Sequence, residues 1–355
     1  MGKKYKNLLG CLLISLMLVC FTSGCGDKAG SEDYKADDET GKVQIGMCFD
    51  SFVIERWQRD RDVFVSTAKE LGAEVNVQNA NGDPNRQKQQ IEYFIKKNMD
   101  VIVIITIDSE AILDSVNKAR EEGIKVIAYD RPISGADADL YISFDNEKVG
   151  EMMGEALVKK GLIGGKVLML CGSPTDLNVP MVENGFGKVM EENTNMVLDV
   201  FHADGWRAEL AGEYIYDHMD LVNRADAIMC GNDDLASKVV HALSEKRLAG
   251  KKMVVGQDAD LEACQRIVEG TQLMTVYKPI EKLAQKAAES AVKLANEEVL
   301  SEDELSVYVD GEKEIPYLKI EPVSVTEDNI DEVIIKSGFH LKEDVYLNVP
   351  SKMPE

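Results

Sequence analysis

At 355 residues the chain is long enough for two domains of ordinary size, and with 45% hydrophobic and 29% charged residues it is composed as a folded, soluble globule. Its 63 acidic residues against 40 basic ones leave a net charge of −23. That balance argues against a nucleic-acid partner, because phosphate binding needs clustered Lys and Arg, and it leaves solubility as the plain reading of the acidity.

The first 24 residues read as an export signal. Lys3, Lys4 and Lys6 make a basic start, residues 8–21 are an apolar run too short for a bilayer span, and Thr22, Ser23 and Gly24 close it with small side chains. Cys25 then stands where a bacterial lipoprotein signal places its acylated cysteine, with Thr22 at a position that is usually Leu. A plain signal peptide cleaved nearby is the alternative. Residues 25–42, rich in Gly, Asp, Glu, Ser and Lys, read as a lipidated cysteine followed by a flexible acidic tether. Beyond it Cys48, Cys171, Cys230 and Cys264 form no C-x-x-C pair and are expected to be buried free thiols.

From residue 43 short apolar runs alternate with helical periods. Strands are expected over 43–49, 74–78, 100–106 and 125–129, and helices over 56–71, 84–97 and 111–122. Asp83 and Pro84 head the second helix as a side-chain cap and a first-turn proline. The alternation restarts after residue 144, with helices over 147–160, 181–192, 208–218 and 235–244 and strands over 166–170, 197–201, 225–230 and 253–256. Two such series predict an α/β fold of two doubly wound, parallel-sheet lobes. A helix over 280–296 and strands near Val307 and Leu318 return to the lobes in a way that periodicity leaves open.

Open parallel sheets bind ligands outside the carboxyl ends of their strands, and the segments that follow these strands are polar. They carry Asp50, Arg56 and Trp57; Asp130 and Arg131; Asp176 and Asn178; Asp204 and Trp206; Asn232; Asp258; and Lys278. This inventory suits a neutral polyol. Carboxylates accept from hydroxyls, Arg and Lys donate to them, Asn does both, and the C–H face of a pyranose can lie on an indole. The only tryptophans, Trp57 and Trp206, both fall in these segments. Taken singly, Asp176, Asn232 and Asp258 read more readily as helix caps than as ligand contacts, and Arg131 reads as a partner for its neighbour Asp130. The joint pattern carries the functional reading.

At these loops the chain resembles the periplasmic sugar-binding proteins of bacteria, most of all those that take D-xylose. The likeness runs over residues 42–341. It rests on Glu55-Arg56-Trp57-Gln58, Asp60-Arg61-Asp62, Tyr129-Asp130-Arg131, the run Tyr141-Ile142-Ser143-Phe144-Asp145-Asn146-Glu147-Lys148-Val149-Gly150, Gly172-Ser173-Pro174, Asp204-Gly205-Trp206, Gly256-Gln257-Asp258-Ala259-Asp260 and Met274-Thr275-Val276-Tyr277-Lys278-Pro279. The resemblance implies the type I periplasmic binding fold, two lobes joined by a three-strand hinge. Residues 43–146 with 281–321 would form the first lobe, 147–280 with 322–346 the second, and 347–355 a tail. It implies sugar contacts at Arg56, Trp57, Asp130, Arg131, Asp176, Asn178, Trp206, Asn232, Asp258 and Lys278. Leu177 departs from a polar residue common in the family, and residues 300–315 are unusually acidic.

The implied protein is a monomeric, exported, lipid-anchored binder of a monosaccharide. It sits on the outer face of the cytoplasmic membrane in a Gram-positive type of envelope and closes about its hinge to feed an ABC importer's permease and ATPase. A binding protein read by a sensor kinase or chemoreceptor is the alternative. A repressor would need a DNA-reading helix pair where this chain has its signal and tether. An enzyme is disfavoured because no G-x-S-x-G or H-E-x-x-H occurs. No cofactor and no metal are expected, since His202, His218, His241 and His340 lie far apart in sequence.

Overall fold

The computed structural model describes residues 41–53 and 56–354. The export signal, Cys25 and all but the last two residues of the tether lie outside them.

The chain first lays down β1 (Gln44–Phe49), α1 (Arg56–Glu70), β2 (Glu74–Asn79), α2 (Pro84–Lys96), β3 (Val101–Ile104), α3 (Ser109–Glu121), β4 (Lys125–Tyr129) and β5 (Leu140–Phe144). It continues through α4 (Asn146–Lys159), β6 (Lys166–Cys171), α5 (Asn178–Glu192), β7 (Met196–His202), α6 (Ala208–Asp217), α7 (Met219–Arg224) and β8 (Ala227–Cys230). After these come α8 (Asp233–Glu245), β9 (Met253–Gln257), α9 (Leu261–Glu269) and β10 (Met274–Tyr277). The return comprises α10 (Ile280–Ala295), β11 (Leu305–Asp310), β12 (Lys313–Ile320), β13 (Val323–Thr326) and α11 (Lys342–Val345).

These strands form two sheets, ordered β11-β12-β5-β4-β3-β1-β2 and β13-β10-β9-β8-β6-β7. Each is parallel except at one edge, where β11 runs against β12 and β13 against β10. Parallel strands buried on both faces should be continuously apolar, and Val101–Ile104 and Ala227–Cys230 are buried throughout. Within each sheet the series reads 2-1-3-4-5, so the order reverses beside β1 in one lobe and beside β6 in the other. Those reversals open crevices at the carboxyl ends. The chain passes between the sheets three times, after β5, after β10 and after β12. The helix α10 packs on α1 and on strands of the first sheet, so the return completes that lobe's core.

Asp83 caps α2 as the sequence suggests, its carboxylate accepting from the amides of Asn85 and Arg86. The structure adds β5, α7, α9, β13 and α11 to the elements that the pattern predicts. Four of them are four to six residues long, too short for a period to establish itself. The segment after residue 342 folds onto the second lobe. There the Asp344 carbonyl accepts from Gln265 Nε2, the Val268 carbonyl accepts from Lys352 Nζ, and Val345 is fully buried. Cys48, Cys171, Cys230 and Cys264 are buried and unpaired, and burial pushes the Cys48 thiol up to about 12.

The closest helix packing in the second lobe rests on two glycines. A methyl group at Gly150 of α4 would stand 2.0 Å from the Val182 carbonyl oxygen, and one at Gly185 of α5 would stand 1.9 Å from that of Glu147. Gly187, one residue past Phe186 on α5, faces open space. Gly150→Ala and Gly185→Ala are therefore expected to force the helices apart and lower unfolding stability by about 1–3 kcal/mol. Gly187→Ala is expected to raise it by up to about 1 kcal/mol through helix propensity. Urea denaturation of the three variants reads both signs.

Candidate functional site

Loops at the carboxyl ends of both sheets meet over one cavity enclosing about 490 Å3 of space between atoms, its mouth included. Its walls hold all ten of the residues singled out from the sequence: Arg56, Trp57, Asp130, Arg131, Asp176, Asn178, Trp206, Asn232, Asp258 and Lys278. Asn146, at the first crossing, and Gln257, at the end of β9, join them. Both lie in the stretches that carry the family resemblance, and their strand-end or crossing positions were the available signal. Val179, Val182 and Met229 supply an apolar part of the wall.

The first lobe's wall is a set of buried ion pairs. Arg56 Nη2 donates to Asp130 Oδ1 at 2.9 Å and to Asp60 Oδ1 at 3.2 Å. Arg131 Nη1 donates to Asp50 Oδ2 at 2.7 Å and to the Thr106 carbonyl at 3.0 Å. The neighbour pairing of Arg131 with Asp130 is thus corrected. The backbone turns at Asp130 with φ of 63°, and the two side chains find different partners. The Trp57 indole is fully buried beside two guanidiniums, with Arg56 Cζ 4.4 Å and Arg131 Cζ 5.7 Å from its ring centre.

Several contacts cross between the lobes. Arg131 Nε lies 2.6 Å from Asp176 Oδ2, Asn178 Nδ2 donates to the Asp130 carbonyl at 2.9 Å, and the Tyr141 hydroxyl donates to Asn178 Oδ1 at 3.3 Å. Arg56 Nη1 approaches Asp258 Oδ1 at 3.9 Å, and Lys278 Nζ, at the second crossing, stands 3.4 Å from the same oxygen.

In the second lobe Trp206 lies against Gly172, where a methyl group would fall 2.2 Å from the indole, and its Nε1 donates to Asp176 Oδ2 at 3.1 Å. The indole is thereby fixed in place by a residue with no side chain and by a carboxylate. Asn232 caps α8, accepting from the Leu235 amide at 2.9 Å, so its structural and lining roles coexist. Asp130, Trp206 and Asp258 all adopt left-handed backbone, with φ of 63°, 58° and 96°. For non-glycine residues this costs on the order of 1–3 kcal/mol each.

Burial sets the protonation states. Desolvation pulls the Arg56 guanidinium down, but Asp130, Asp60 and Asp258 together hold it well above its ordinary value. Asp130 is pushed up by burial and pulled below the ordinary carboxylate range by Arg56, Lys278 and Arg131. Asp50 and Asp60, set behind the wall, are raised by burial against the pull of Arg131 and Arg56.

Among the described residues, five buried side-chain polar atoms have no hydrogen-bonding partner: Trp57 Nε1, Thr106 Oγ1, Arg131 Nε, Gln257 Oε1 and Asp258 Oδ1. Arg131 Nε and Asp258 Oδ1 have charged neighbours, but the contacts are not aligned as hydrogen bonds. Four of the five atoms belong to residues lining this cavity. Two are donors and two are acceptors, and they come from both lobes.

Comparison with known proteins places the chain. The family described as periplasmic binding protein domain matches residues 45–298. The chain is 45% identical to the D-xylose-binding periplasmic protein of Haemophilus influenzae over 86% of its own length and 92% of that protein's. It is 40% identical to the D-xylose-binding periplasmic protein of Escherichia coli over 96% and 100%. Among solved structures it is similar to an ABC transporter solute-binding protein from Clostridium phytofermentans with bound β-D-glucose. The TM-score is 0.76 and the identity 26%, over 85% of this chain and 99% of the other. The resemblance drawn from the loops and the two-lobed parallel-sheet fold are both borne out.

Arg56 compensates three carboxylates at once, so its removal has a predictable cost. Arg56→Met is expected to destabilise the protein by about 3–5 kcal/mol at neutral pH, because buried charges lose their partner. In the parent, the lowered Asp130 contributes stability above the unfolded carboxylate value of about 3.9 and loses it as pH falls through its own lower value. The variant lacks that contribution, so its deficit is expected to shrink as the pH is lowered. Urea midpoints of both proteins from pH 7 to pH 3 test this.

Proposed function

The chain belongs to the periplasmic binding protein family, and from that premise we propose that it captures a neutral monosaccharide, D-xylose first, by closing its two lobes, and hands it to an ABC importer. The observation that carries the reading is the chemistry of the cavity wall. Arg56, Arg131 and Lys278 stand against Asp130, Asp176 and Asp258, and every one of these cations already has carboxylate neighbours. No surplus positive charge is left for a phosphate or a sugar acid. What remains are buried donors and acceptors in equal number, which suits hydroxyls that donate and accept at once. The Trp206 indole supplies an apolar platform for C–H groups.

The role is binding rather than catalysis, in keeping with relatives named for the sugars they bind. D-Xylose is favoured by the names and identities of those two relatives. In this mechanism the open form leaves Arg131 and Asp176 on separate, wet walls. Closure brings them together and offers the ligand partners from both lobes, so ligand and cross-lobe contacts stabilise the same state.

Calorimetry is expected to show tight 1:1 binding of D-xylose and weaker binding of D-ribose and D-glucose. Heat from several hexoses with none from xylose would overturn the specificity. Arg131→Ala and Asp258→Ala are each expected to weaken binding by about 2–3 kcal/mol, roughly 30- to 150-fold. Near-parental affinity in both would remove them from the site.

The same reading anchors the mature protein by a lipid on Cys25, with the polar residues up to 42 as a spacer. Among the described residues no helix is long and apolar enough to cross a membrane. Cys25→Ala is expected to move the exported protein from the membrane fraction to the soluble one. Retention on the membrane would sink the anchor.

A further inference from the structure

Cys171, Glu183 and His202 bring a thiol, a carboxylate and an imidazole to one corner of the second lobe, their ligand atoms all within 4.8 Å of one another. Strand register makes the meeting. β6 and β7 are parallel neighbours, and Cys171 and His202 are paired residues at the carboxyl end of that ladder, so their side chains leave the same face of the sheet. The helix α5 packs on that face and lowers Glu183 onto it, with Glu183 Oε1 2.7 Å from His202 Nε2.

We propose that this triad binds a borderline-soft divalent cation, Zn2+ first, in the wall of the cleft. The donor set points to that class, because sulfur and imidazole suit zinc, whereas Ca2+ and Mg2+ take shells of oxygen. Charge agrees, since one thiolate and one carboxylate neutralise a divalent ion. Bonds of about 2.0–2.3 Å draw tetrahedral ligands to within about 3.5 Å of each other, so side-chain rotations of roughly an ångström close the triad on the ion. Access agrees too. The His202 side chain is 38% exposed and that of Glu183 24%, which opens a route from solvent that does not pass through the sugar cavity. Cys171 and Glu183 also line that cavity, and His202 does not. A bound ion would thus stand between solvent and the ligand site, with a fourth position left open.

The test is zinc titration of the reduced, chelator-treated full chain by calorimetry, with Co2+ as a spectroscopic stand-in. The expected result is one zinc per chain and a cobalt complex with thiolate-to-metal charge-transfer absorption. His202→Gln is expected to weaken zinc by more than about 100-fold, beyond the loss of an outer-shell partner, while D-xylose binding stays as in the parent. Cys171→Ser is expected to abolish the charge-transfer absorption, which separates this thiol from the other cysteines. Equal zinc affinity in the parent and His202→Gln, or absorption that survives Cys171→Ser, would overturn the site. Failure of the parent to bind sugar would count against the proposed function alone and leave this result readable.

Discussion

Buried charge governs this molecule. Arg56 and Arg131 are almost wholly withdrawn from water at the mouth of the first sheet, together with Asp50, Asp60 and Asp130. Removing such groups from water costs several kcal/mol per ion after relaxation, and only close, well-made pairs offset it. Each guanidinium therefore has to reach carboxylates on separate elements: Arg56 takes Asp60 from its own helix and Asp130 from the end of β4, and Arg131 takes Asp50 from the end of β1. Strand order and loop conformation must both be right for these pairs to form. The network is thus a constraint on the whole first lobe, and the left-handed turn at Asp130 is part of how it is met.

The same network limits what can enter. A wall whose cations are already matched, backed by Asp50 and Asp60, resists a further anion. It also gives nothing to an apolar ligand, which would leave Trp57 Nε1, Arg131 Nε, Gln257 Oε1 and Asp258 Oδ1 buried and unbonded at a penalty of about 1–3 kcal/mol each. Backbone strain at Asp130, Trp206 and Asp258 lies at the positions where the wall is built, as expected where geometry serves a site rather than the core.

Much of this was legible in the sequence because apolar runs end sharply at polar residues. The burial of Val101–Ile104 and the acids after Phe49, Tyr129 and Gln257 follow from pattern alone. Pairing was not legible. Adjacent Asp130 and Arg131 look like partners, yet a single backbone turn sends them apart, and nothing local reveals that Asp50 lies 81 residues from its cation. Short elements such as Leu140–Phe144 hold too few residues to express a period. The triad at Cys171, Glu183 and His202 is hidden for a third reason. Its members meet through the register of two strands and the drop of a helix, so spacing motifs, which sense one helix or one loop, pass over it.

Contacts that cross the cleft act on ligand affinity twice. In the closure we propose, Arg131 with Asp176 and Asn178 with Asp130 link the lobes directly. They raise the fraction of molecules already competent to bind, and apparent affinity rises with that fraction. The same side chains then have less to give the ligand, because a hydrogen bond already made is not made again. Arg131 resolves the conflict through geometry. Its Nη1 is committed to Asp50 and Thr106, whereas its Nε stands 2.6 Å from Asp176 without an aligned hydrogen bond. One guanidinium can therefore hold its own lobe in shape, draw the opposite lobe by charge, and keep a donor for a hydroxyl. Lysine has no such fork to divide among three tasks, which gives a physical reason for arginine at this position.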